Sequence, residues 1–108
     1  MQRVTTPTHI FILDIDPREW DIYRITYKQC GNTVLEKTQD DPVSITEYGS
    51  KFKMEYRLTQ EESKGFKAGM TAWVQIRAHY PDGKVVASKK CSFSVDDVFN
   101  TEILGGTP

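Results

Sequence analysis

The sequence predicts an all-β chain, an antiparallel β-sandwich of about seven short strands with one short helical crossover. Three observations carry that reading. Apolar and polar residues alternate with a period of two in several segments, the signature of half-buried strands. Gly, Pro, Asn and Asp punctuate the chain at short intervals, as turns between strands require. No segment carries a sustained helical stripe and no β-α-β alternation occurs, which argues against a parallel sheet.

Residues 1–8 are polar and contain Pro7, so an extended lead-in arm is expected. Residues 9–15, HIFILDI, are dense in strand formers, with β-branched Ile10, Ile12 and Ile15. Asp14, Asp16 and Pro17 break that strand, and Pro17 to Trp20 suit a single helical turn. Ile22–Gln29 places Tyr23, Ile25 and Tyr27 on one face and Arg24, Thr26 and Lys28 on the other. Cys30, Gly31 and Asn32 form a tight turn, and residues 33–38 pair back as a hairpin.

Residues 39–42 form a loop by composition, residues 43–46 a short strand, and Tyr48, Gly49 and Ser50 a turn. Lys51–Arg57 has the cleanest alternation, with Phe52, Met54 and Tyr56 opposed to four charged residues. Thr59 and Glu62 make a T-x-x-E capping box. Gly65 and Gly69 limit that helix to about two turns, with Phe66 as its core anchor.

The central hairpin spans residues 70–95. Ala72, Val74, Ile76 and Ala78 alternate with Trp73, Gln75, Arg77 and His79, and Pro81, Asp82 and Gly83 supply the turn. On the return arm Val85, Ala87, Cys91, Phe93 and Val95 are expected in step on one face. Asp96 to Phe99 suit a closing turn, and residues 100–108 read as a flexible tail whose Ile103 and Leu104 can dock. The whole of 1–108 is expected to be one domain of immunoglobulin-like sandwich type, with a small barrel as second choice. The Cys…Trp…Cys spacing of antibody domains is missing.

The 108 residues are 27% charged and 38% hydrophobic, which suits a folded domain with a polar surface. A net charge of -1 gives no reason to expect nucleic acid or an anionic membrane as partner. No apolar run approaches the ~20 residues of a membrane span, and the first residues lack an apolar signal core. Synthesis in the cytosol is therefore expected, with Cys30 and Cys91 reduced.

Chemistry is sparse. His9 and His79 lie in strand patterns without a Ser or Cys nucleophile motif. The pairs Asp14/Asp16 and Asp96/Asp97 lack a calcium-loop pattern, and no Gly-rich phosphate loop precedes a helix. No catalytic residue, metal or cofactor is expected. Contact surfaces remain. Trp73, Gln75 and Arg77 share the mixed face of the central strand, and Trp and Arg are enriched at interface hot spots.

The ordered segments TTPTHIF (5–11), VLEKT (34–38), LTQEE (58–62), VQIR (74–77), DGKVVAS (82–88) and SVDDV (94–98) resemble a family of small proteins. These are encoded in the tail-region and structural modules of bacteriophages and prophages of Gram-positive, especially clostridial, bacteria. The resemblance covers nearly the whole chain and departs from it in the longer loop at 40–50 and in Cys91. It implies a non-enzymatic virion component of the tail or baseplate, made in the host cytoplasm and then built into the particle. Its partners would be other virion proteins or further copies of itself. Arg3, Thr5 and Pro7 of the arm, Trp73, Gln75 and Arg77 of the central strand, and Ile103 and Leu104 of the tail are the contact candidates. A carbohydrate- or host-receptor-binding domain is the alternative, by fold analogy alone, and an inhibitor of a host enzyme a third reading.

Overall fold

Alternating residues become strands wherever a second strand can cover their apolar side. In the computed structural model, which describes residues 1–106, this happens eight times: β1 (Thr8–Leu13), β2 (Ile22–Gln29), β3 (Asn32–Thr38), β4 (Ser44–Tyr48), β5 (Lys51–Arg57), β6 (Ala72–His79), β7 (Val85–Ala87) and β8 (Cys91–Phe93). One helix, α1 (Gln60–Lys64), crosses from β5 to β6, and a short 3-10 turn (Pro17–Glu19) precedes β2.

The strands form two antiparallel sheets. One has the order β1-β5-β4; the other has the order β3-β2-β6, with β7 and β8 both on the far side of β6. In chain order these are the B, C, C′, D, E, F and G positions of an immunoglobulin-like sandwich, the last divided between β7 and β8. Beside β1, where such a sandwich carries its first strand, no strand stands among the described residues.

The inner faces pack as the alternation requires. Tyr23, Ile25 and Tyr27 of β2, Met54 and Tyr56 of β5, and Ile76 of β6 are all buried. A hydroxyl–hydroxyl hydrogen bond between Tyr23 and Tyr56 ties one sheet to the other. Buried Gln29 satisfies its whole amide on the loop before β6: Nε2 donates to the carbonyls of Lys67 and Met70, and Oε1 accepts from the Lys67 N–H. A buried amide left without such partners would be destabilising.

Local signals govern the connections. Cys30 and Gly31 both have positive φ, 49° and 77°, the two-residue turn that matches strand twist. The capping box forms as its spacing requires. Thr59 Oγ1 accepts from the Glu62 N–H, and Glu62 Oε1 accepts from the Thr59 N–H. Phe66 lies just beyond α1 and is buried.

One expectation fails. The return arm of the central hairpin is not a continuous strand with Val85 and Ala87 in step with Cys91, Phe93 and Val95. Val86 lies opposite buried Ala78, while Val85 is 52% exposed. After β7, Ser88 takes over the pairing with Ile76: its N–H donates to the Ile76 carbonyl and its Oγ accepts from the Ile76 N–H. Residues 88–90 hold no apolar side chain to keep the register, and the shift of one residue reverses which face follows. Phe93 and Val95 then return to the core, while Cys91, opposite Val74, stays exposed.

Candidate functional site

The outer face of the larger sheet is set by the same parity that buries its inner face. Antiparallel pairing of β2 with β6 brings Lys28 opposite Trp73, Thr26 opposite Gln75, Arg24 opposite Arg77 and Ile22 opposite His79. Trp73 is 47% exposed and is flanked on its other side by Ser92 of β8. Gln75 is anchored by its Nε2, which donates to the Ser88 carbonyl at 2.9 Å. His79 Nδ1 lies 2.7 Å from Asp21 Oδ1, and this hydrogen bond, followed by charge attraction to His79, holds the Asp21 carboxyl below its usual range.

Two arginines directly across a strand pair repel each other. Arg24 is partly neutralised, since Nε lies 3.7 Å from Glu36 and Nη1 donates to Gln39 Oε1. Arg77 and Lys28 have no acid partner among the described residues. The face therefore joins an exposed indole to unmatched cations, an arrangement complementary to a partner with carboxylates around an apolar contact.

The structure gathers Trp73, Gln75 and Arg77 on this face but puts the other candidates elsewhere. Arg3 Nη1 pairs with Asp97 Oδ1 at 2.7 Å, and its other nitrogens donate to the Phe66 and Lys64 carbonyls. Thr5 exchanges backbone bonds with the hydroxyl of buried Ser63 in α1. The Pro7 carbonyl accepts from the Leu58 N–H. At the other end the Leu104 backbone is held at both N–H and carbonyl by the Gln60 amide. Leu104 is exposed and Ile103 half-buried; residues 107 and 108 of the tail lie outside the described residues. Arm and tail thus converge on α1, away from the Trp73 face. The arm is not extended as the sequence suggested: it turns at Arg3 and Val4, where buried Val4 has a φ of 55°. It is fastened to the domain because its donors and carbonyls meet complementary groups in α1 and at residues 94–97.

Arg24 and Lys28 belong to the candidate surface although only their outward direction was readable from the sequence. Placing them beside Arg77 and Trp73 requires the β2–β6 register, which no local signal encodes. Among the described residues no group of three or more His, Cys, Asp or Glu side chains is placed to hold a metal.

His9 is unusual for a strand histidine. Its Nδ1 lies 2.7 Å from the Tyr27 hydroxyl, and its ring packs against Phe93 at 5.3 Å. Burial, and then repulsion by the chain's own terminal ammonium, lower its pKa below 6.5. The unfolded chain then binds a proton at a higher pH than the folded one. Stability from this group is intact above pH ~6.5 and falls as pH drops below it. Urea midpoints at pH 7.5 and 5.5 should show that loss in the parent chain, and a much smaller one in His9→Gln.

No protein-family model matches the chain, and no curated protein matches it. Among solved structures, the V domain of amphioxus IgVJ-C2 is similar to it, with 15% sequence identity, a TM-score of 0.35, and coverage of 88% of this chain and 96% of that one. A likeness this loose carries no argument; fold rests on the strand order and sheet pairing described above.

Proposed function

We propose that the chain is a non-enzymatic structural and assembly module of a bacteriophage virion, acting through protein–protein contacts. The observation that supports this reading is the Trp73–Arg77 face, where an exposed indole adjoins the unpartnered cations Lys28 and Arg77 across one strand pair. Such a face has the aromatic and guanidinium anchors of a binding surface. The virion setting comes from the resemblance of the ordered sequence segments.

Mass spectrometry of purified particles tests the setting, and substitution tests the face. The parent chain should co-purify with particles, while Trp73→Ala and Arg77→Glu should each reduce its incorporation by about tenfold without changing its circular dichroism. Particles that lack the parent chain would sink the virion reading. Full incorporation of both variants would remove this face from it.

A further inference from the structure

The place beside β1 has a shape of its own. An open groove of about 860 Å³ runs along the full length of β1 and is lined as well by Ser88, Lys89, Cys91 and Phe93, by Val74 and Ile76, and at one end by Met1 and Pro7. A second cavity of about 220 Å³ continues it, sharing Leu13, Asp14, Ile76 and Ser88 and adding Trp20 and Val86. Together they make one seam between the two sheets.

Neither lip is paired by a further strand among the described residues. β1 pairs with β5 on one edge only, and β7 and β8 pair only with β6. Exposed sheet edges are normally blunted by Lys, Pro or a bulge. The six residues of β1, THIFIL, contain no charge and no Pro, and its ladder to β5 has no irregularity. Ile10 and Ile12 are 52% and 47% exposed.

Two further observations point to what would lie there. Trp20 is nine-tenths buried and lines the end of the seam, and its Nε1–H is a buried donor without an acceptor. Such a group is rare in folded proteins and calls for a partner. Lys89, on the lip, and Lys90 next to it have no ion pair among the described residues.

We propose that this seam accepts an extended strand from a partner protein, laid antiparallel to β1 in the position of the sandwich's first strand. Main-chain hydrogen bonds to β1 hold it, and alternate apolar side chains fill the space between Phe11 and Phe93. One of its carbonyls accepts from Trp20 Nε1–H, and a carboxylate in its flank meets Lys89 and Lys90. This site is separate from the Trp73 face, so the chain would link two neighbours.

The two tryptophans report on the two surfaces separately. The 15N-labelled chain is titrated with a capped peptide of about nine residues, roughly 30 Å when extended, alternating Val and Thr with Glu at both ends. The Trp20 indole resonance and the β1 amides should shift while the Trp73 indole stays in place. The same peptide N-methylated at alternate backbone nitrogens should bind at least about tenfold more weakly, because it cannot pair as a strand. A Lys-ended version should bind more weakly to the parent chain and better to Lys89→Glu/Lys90→Glu. Equal binding of the N-methylated peptide, shifts centred on Trp73, or no shift at millimolar peptide would each overturn the proposal. Shifts of β1 amides on diluting the protein alone would overturn it in favour of a second copy at this edge. None of these outcomes bears on particle incorporation through Trp73 and Arg77, which is measured independently.

Discussion

Phe66→Ala is expected to lower the unfolding free energy by about 3–5 kcal/mol, a large share of the ~5–15 kcal/mol typical of a whole domain. Phe66 is 1% exposed and sits where the crossover from α1 meets the larger sheet. Its ring stands edge-on to Tyr27 at 5.7 Å and 89°, and tilted against Phe93 at 5.9 Å. Neither neighbour is free to move into the space. Tyr27 is completely buried, its hydroxyl held at His9 and its pKa raised by burial, and Phe93 is pinned by β8 pairing with Ala72. A void with rigid walls keeps most of its cavity penalty. The Phe66 carbonyl would still accept from Arg3 Nε, so the arm should stay docked. Urea unfolding measures the effect as a midpoint lowered by roughly 2 M with an unchanged slope. A loss below about 1 kcal/mol would show that the aromatic cluster repacks.

The second large effect is expected at the ion pair between Lys37 of β3 and Glu62 of α1. Lys37 Nζ donates to Glu62 Oε2, and the two side chains are 9% and 23% exposed. Glu62→Gln keeps an acceptor for the Thr59 N–H, so the capping box survives while the charge of the pair is removed. The ammonium of Lys37 is then left buried without a counter-charge, which costs about 3 kcal/mol. Adding Lys37→Met should recover most of that loss, because a pair removed whole takes its desolvation penalty with it. Thermal and urea unfolding of the two single variants and the double variant give the coupling. Additive losses in the double variant would mean that each residue acts alone.

Much of the sandwich was legible because its signals are local. Tyr23, Ile25 and Tyr27 alternate visibly, Gly31 and Gly83 mark turns, and Thr59 with Glu62 spells the helix start. What escaped the sequence depends on partners distant along the chain. Lys37 reads as an ordinary surface lysine, yet it is buried by a glutamate 25 residues away. The division of β7 from β8 turns on one hydroxyl, Ser88, replacing a backbone group in the ladder. Arg3 reads as a loose end, but its three donors meet three separate groups 61 to 94 residues distant. The candidate face was half visible: alternation gave its strand, and only register gave its neighbours.

The fastening of the arm also has a consequence in time. The Met1 ammonium donates to the Ser94 carbonyl, 93 residues away, and Gln2 bridges Asp96 in parallel. The residues of the arm are thus among the last to find their places, because their partners at 94–96 lie more than ninety positions further along the chain and emerge after them. Contacts of such long sequence separation slow closure of a fold. Until residues 94–97 emerge, the arm stays undocked beside the uncharged strand β1, and that interval is when chaperones or a sister chain have most access to it.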